Sequence, residues 1–295
     1  MQRSLVPFAD GWEAHQNRHC IWVVSPEGYD HRTFDEVADA LEDAFRELGG
    51  SAPIVRNPEE WNGRIPIVLG ANLLWRLGYP PMPPNSIIFN LEQMIEGSVW
   101  MSDRYLPALQ QFPVLDFSKQ NLASLHGLGI RHARLLEIGY SPALAKIPIS
   151  LEKPYDVIFY GSVNDRRQRI IDELVARGMI TASLRGIYGP DRDLHIGRAK
   201  LVVNIHYYEQ SAFEVVRVSY LVANKIPVLS ERRPDETDGE WAGVEYASYD
   251  QLVERCIALV DDDRWRERLA EDGFRHFSER RQADLLRTCI AESQF

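Results

Sequence analysis

The chain has 295 residues, enough for two domains of ordinary size, and a net charge of −10, which argues against a nonspecific partner for a polyanion. No run approaches the roughly 18 uninterrupted apolar residues of a membrane-spanning helix, and the opening MQRSLVPFADGWEAHQ lacks the apolar core of a secretory signal. Cys20, Cys256 and Cys289 are odd in number and far apart, which argues against a disulfide framework or zinc spacing and fits a reducing cytoplasm.

HCIWVVS (19–25) predicts a buried strand, and the helix pattern after it carries Phe34, Val37, Ala38, Leu41, Phe45 and Leu48 on one face. Thr33 and Glu36 have the spacing of a capping box, and Gly49-Gly50 supplies a stop. Further strands are predicted at 52–55, 65–70, 86–90, 112–117 and 133–139. The segment 141–154 holds three prolines and no sustained period, and reads as a linker.

The pattern restarts with a strand at 155–161 and a helix at 166–178. A strand at 183–189, a short helix at 191–199, a strand at 200–206, an apolar helix at 213–225 and a strand at 226–231 follow. A last short strand at 244–247 precedes a helical tail. Short apolar strands alternating with helices predict an α/β protein with parallel sheets. The restart predicts two Rossmann-like domains facing across a cleft, one over residues 1–145 and one over 146–295.

Ligands of such sheets bind beyond the carboxyl ends of the strands. At the first junction of the second half, Tyr160-Gly161-Ser162-Val163-Asn164-Asp165-Arg166-Arg167 runs from strand through glycine into a helix start. Glycine admits a ligand to the backbone, and free amides with Arg166 or Arg167 suit a phosphate. A capped helix with solvated arginines is the bland reading. The sequence is not GxGxxG, so the common dinucleotide fingerprint is missing. At the second junction, Asn204 to Arg217 passes from an apolar strand through polar and aromatic positions into a buried helix. Glu214 and Arg217, three apart, share one face of that helix, either as an internal ion pair or aimed at a sugar and a phosphate.

Tyr155–Gly161, Ala199–Glu209 and Phe213–Glu231 resemble the C-terminal half of group 1 type glycosyltransferases of GT-B architecture, especially the CgeB-like branch, and the resemblance spans about residues 85–290. RVSYLVANKIPVLS looks like the family pattern R-x-F-E-x-x-A-x-G-x-x-x-x-S. Arg217 falls on the family arginine, Tyr220 where many members carry a ribose-binding glutamate, and Lys225 on a usual glycine. The resemblance implies sugar transfer from a nucleoside-diphosphate sugar to an acceptor hydroxyl, with no cofactor and no catalytic metal. The donor would be held by the second domain through Gly161, Ser162, Asn164, Arg166, His206, Tyr207, Ser211, Phe213, Glu214 and Arg217, with Glu214 in place of the family glutamate. The first domain would present the acceptor, with Glu92, His31 or Asp30 as the base. Asn90-Leu91-Glu92-Gln93 and Leu115-Asp116-Phe117-Ser118 with Asn121 recur at strand ends in similar proteins. The default acceptor is a surface polysaccharide, and a modified DNA base is the alternative, disfavoured by the charge. A noncatalytic nucleotide-sugar-binding protein and a nucleotide-sugar epimerase are the rival functions. Asp191-Arg192-Asp193 and Asp261–Asp263 read as helix caps rather than metal ligands.

Overall fold

In a computed structural model, the chain is described over residues 5–29, 31–209, 213–232 and 241–293. Its described residues form two compact units, Met1–Ala143 with Arg280–Phe295, and Leu144–Glu279.

In the first unit a short helix, α1 (Trp12–His15), precedes β1 (His19–Val23), a 3-10 turn (His31–Phe34) and α2 (Asp35–Glu47). β2 (Ile54–Val55), β3 (Ile65–Leu69), β4 (Ile87–Asn90), α3 (Leu106–Gln111), β5 (Val114–Asp116), α4 (Lys119–Gly127) and β6 (Arg134–Leu135) follow. The strands form one parallel sheet in the order β2-β1-β3-β4-β5-β6. Every residue of β1 and β4 is buried, as a sheet covered on both faces requires. Trp22, Val68, Ile88 and Val114 pack on one face with Leu109 and Leu125 from the helices.

The capping box read at Thr33 and Glu36 does not start the α-helix. A 3-10 turn takes up His31–Phe34, and α2 begins at Asp35 with no side-chain cap on Phe34. Gly49 ends the segment with φ +81°, a left-handed value that glycine adopts without a Cβ clash.

The second unit runs β7 (Tyr155–Tyr160), α5 (Asp165–Ala176), β8 (Thr181–Leu184), α6 (Gly189–Ile196), β9 (Ala199–Asn204), α7 (Val215–Ala223), β10 (Val228–Glu231), β11 (Glu245–Ala247), α8 (Leu252–Asp261) and α9 (Asp263–Ser278). Its sheet is again parallel, in the order β11-β10-β9-β7-β8. Leu201, Val203 and Leu229 meet Leu252, Cys256 and Leu259 of α8 in its core. β8 lies earlier than 183–189, because Gly186 turns the chain at φ +63° and Pro190 opens α6.

The linker reading divides the chain at 145/146, and the compact units divide at Ala143/Leu144. The helical tail is shared. α8 and α9 stay with the second unit, whereas α10 (Gln282–Glu292) lies against α2 in the first. Gln282 fixes that return, its Oε1 accepting from the Gly139 amide at 2.7 Å and its Nε2 donating to the Glu137 carbonyl at 3.2 Å. Gly139 allows the approach, since a Cβ there would stand 2.6 Å from the Arg280 carbonyl oxygen. Asp262 caps α9 through the Trp265 amide at 2.8 Å. Asp191 makes no such bond at α6.

Candidate functional site

The strand order of the second unit reverses between β7 and β9, and ligands of open parallel sheets bind at the carboxyl ends of strands at such a point. Gly161 leaves β7 with φ +119°, and a Cβ there would stand 2.7 Å from Arg217 Nη2. The absent side chain is therefore what admits the guanidinium to the strand end. Asn164 caps α5 by accepting from the Arg167 amide at 3.0 Å, and its own amide nitrogen donates to the Tyr207 carbonyl at 2.7 Å. One side chain thus joins the two loops that follow β7 and β9. The first-turn amides of α5 provide partial positive charge beside them.

Three arginines converge here, and their partners differ. Arg166 donates to the Glu231 carboxylate and, at 3.0 Å, to the His206 carbonyl, and it stacks on Tyr249. Arg167 is buried, donating to the Ile205 and Ser162 carbonyls at 2.8 Å each and to Glu214 at 3.1 Å. Arg217 has no carboxylate within ion-pair distance among the described residues. It donates to Asn204 Oδ1 at 2.7 Å, with the faces of Phe159 and Tyr160 beside it.

The Glu214–Arg217 pair read from the spacing is thus a bridge through Asn204, whose Nδ2 donates to Glu214 at 2.9 Å while its Oδ1 accepts from Arg217. Glu214 is the N-cap residue of α7, so the two do not share a helical face. Glu214 also accepts from His206 Nδ1 at 2.9 Å. Burial pushes the Glu214 carboxyl up, but His206, Arg217 and Arg167 outweigh it and hold the group at about 2. With Asn204, His206 and Arg167 all bonded to it, this carboxylate organises the loop. His206 is fully buried, and its side chain supports Glu214 from behind. Phe213 is also buried, packed against Trp241 and Tyr246, and makes part of the core. Ser162 is exposed, and Tyr207 packs its ring near Arg167. Ser211 lies outside the described residues.

At the family glutamate position, Tyr220 is buried and donates its hydroxyl to Asp193 Oδ2 at 2.7 Å. Asp193, read from the sequence as part of a cap, is instead the buried partner of Tyr220 and Arg192. Lys225, at the usual glycine, holds the left-handed φ of +55° that glycine adopts most readily.

In the first unit, Glu92 follows β4 and is half-buried. Its carboxylate accepts from Asn72 Nδ2 at 2.9 Å, and its carbonyl accepts from Asn90 and Asn121 at 2.9 and 2.8 Å. Asn90 donates to Asp116 at 2.6 Å and accepts from the Tyr105 hydroxyl at 2.8 Å. Burial pushes the Glu92 carboxyl up to about 7, against the Asn72 bond that lowers it. His31 opens the 3-10 turn after β1, and Asp30 lies outside the described residues.

Comparison with known proteins fits this geometry. The crystal structure of Anabaena HepE in complex with UDP and glucose superposes with a TM-score of 0.62, covering 93% of this chain and 99% of that one at 11% identity. AviGT4, a glycosyltransferase involved in avilamycin A biosynthesis, superposes at 0.55, covering 93% and 98% at 14% identity. The fold is that of the GT-B glycosyltransferases. No family model matches, so the likeness to the CgeB-like branch rests on sequence motifs alone. Proteins of Acanthamoeba polyphaga mimivirus match in sequence, L140 and L138 among them. L140 is 24% identical over 189 residues, 60% of each protein, and L138 is 33% identical over 122 residues, 40% of this chain and 14% of that one.

Within this GT-B fold, Gly161, Asn164, Arg166, Tyr207, Glu214 and Arg217 come together beyond the carboxyl ends of β7 and β9. Sequence reasoning named Asn204 only as the start of the second junction, without a role, and did not single out Glu231 or Arg169 as site residues. A recess of about 810 Å³ beside α5 is lined by Asn164, Arg166, Arg169, Glu231, Arg232 and Tyr249. Asn204 and Glu231 each end a strand, which was the available signal.

Proposed function

We propose that this protein transfers a hexosyl or pentosyl group from a nucleoside-diphosphate sugar to an acceptor hydroxyl, without a catalytic metal. The observation that carries the reading is Arg217, a guanidinium with no carboxylate partner among the described residues, held against Gly161 in the loop that leads into α5. A departing diphosphate is met there by fixed positive charge, already oriented before the bond breaks. Asn204, Glu214 and Arg167 hold that charge in place, and Arg166 is fixed against Glu231. In the first unit, Glu92 takes the proton of the acceptor hydroxyl, a role served by a carboxylate tuned towards neutral pH. The free, buried thiols of Cys20, Cys256 and Cys289 suit the reducing cytoplasm. Among the described residues no helix is long and apolar enough to cross a membrane.

Calorimetry with UDP, GDP, TDP and CMP tests the donor half. One of them binds the parent protein and binds Arg217→Ala at least tenfold more weakly. If none binds, the reading fails. A second reading, nucleotide-sugar binding without turnover, is favoured by Tyr220, whose hydroxyl is spent on Asp193. It predicts nucleotide binding with no product formed from any acceptor.

A further inference from the structure

Beside Glu92, the first unit carries a stack of cations and rings that the donor site does not use. The 3-10 helix Ala71–Leu77 repeats every three residues, so Asn72 and Trp75 lie on one face of it. Asn72 bonds the Glu92 carboxylate. One turn on, the Trp75 ring has the guanidinium carbons of Arg76 and Arg104 each 4.4 Å from its centroid, and Arg76 also lies 4.6 Å from the centre of Tyr29. The two guanidinium carbons are thus no farther apart than twice 4.4 Å. A second route ties the stack to Glu92. The Arg104 carbonyl accepts from the Tyr79 hydroxyl at 3.0 Å, and the adjoining Tyr105 hydroxyl is bonded to Asn90, which bonds the Glu92 carbonyl.

Both arginines are exposed, and neither has a carboxylate partner among the described residues, in a chain with ten more acidic than basic charges. Two like charges held on one aromatic ring, neither paired with a carboxylate among the described residues, form an anion clamp. Tyr29 and Tyr79, 41% and 51% exposed, add ring surface of the kind that packs against a sugar. A nucleic acid strand asks for a longer run of cations than this pair, and the net charge opposes one.

We infer that Tyr29, Trp75, Arg76 and Arg104 form the acceptor platform, and that the acceptor is a saccharide bearing an anionic group, carboxylate or phosphate. This rests on the transferase reading, in which the first unit presents the acceptor to Glu92.

Binding of four probes to the full chain tests it by calorimetry: trigalacturonate, mannose 6-phosphate, neutral maltotriose and a thymidine decanucleotide. At least one anionic saccharide is expected to bind, at least tenfold more tightly than maltotriose. The double variant R76Q/R104Q, altered only at exposed positions, is expected to weaken it at least tenfold with an unchanged melting temperature. Which anionic probe binds distinguishes carboxylate from phosphate. Equal binding of maltotriose, unchanged binding by the double variant, or tighter binding of the decanucleotide overturns the proposal. Binding of UDP, GDP, TDP and CMP, measured on the same samples, reports the second unit separately. Nucleotide binding without either anionic saccharide refutes the platform and leaves the donor reading standing, and saccharide binding with none of UDP, GDP, TDP and CMP bound refutes the donor reading alone.

Discussion

Gly161→Ala probes the contact on which the donor site depends. At φ +119°, an alanine is expected to cost about 1–3 kcal/mol of stability through backbone strain. Its Cβ would lie 2.7 Å from Arg217 Nη2, so the guanidinium must retreat by at least 0.7 Å, the gap between that value and the 3.4 Å at which ordinary contact begins. A charge-assisted hydrogen bond to a phosphate is worth about 1.5–3 kcal/mol, and each 1.4 kcal/mol or so is tenfold in affinity. UDP binding by Gly161→Ala should therefore weaken by about tenfold to a hundredfold. Calorimetry measures this, and thermal melts measure the strain separately. The double variant with Arg217→Ala carries the decisive control. If the methyl group acts by displacing Arg217, it has little further effect on UDP affinity once Arg217 is gone. Undiminished affinity in Gly161→Ala, or the same loss with and without Arg217, would refute the argument.

Glu92→Gln should lower turnover by about a hundredfold or more while leaving UDP affinity intact, as steady-state kinetics and calorimetry on one preparation will show. In the parent protein, turnover should rise with pH through about 7 as the Glu92 carboxyl ionises. The same upward shift makes the folded protein hold the proton more tightly than the unfolded chain. The resulting stability is full below the ordinary carboxylate range and is lost as pH rises to about 7, a slope that Glu92→Gln should remove from denaturant titrations. Glu214→Gln leaves Arg167 buried without its carboxylate and should cost about 3–5 kcal/mol in the same titrations. In the parent, Glu214 is held near 2, so its contribution is full above the ordinary carboxylate range and falls away as pH drops towards 2. Tyr220→Phe removes the buried bond to Asp193 and should cost about 1–2 kcal/mol in thermal melts without changing UDP affinity. A large loss of UDP affinity there would return Tyr220 to the donor site.

The sequence by itself determined the α/β architecture, because strands buried on both faces must be apolar runs, and HCIWVV and KLVVNI stand out between helical periods. It also placed strand ends at 161, 90 and 206, within two residues of those observed at Tyr160, Asn90 and Asn204, where an apolar run meets polar residues. Spacing reports only local neighbours, so it offered a Glu214–Arg217 pair three residues apart. The fold instead placed Asn204, from the end of another strand, between them. The same limit hid the Tyr220–Asp193 bond across 27 positions and the return of α10 to α2. It also hid the stacking of Arg104 on Trp75, 29 positions apart, which the segments following the neighbouring strands β3 and β4 bring together. Which charges are satisfied within the protein and which remain open to a ligand is set by contacts distant in sequence. That distinction separates Arg166 and Arg167 from Arg217, and tertiary structure alone decided it.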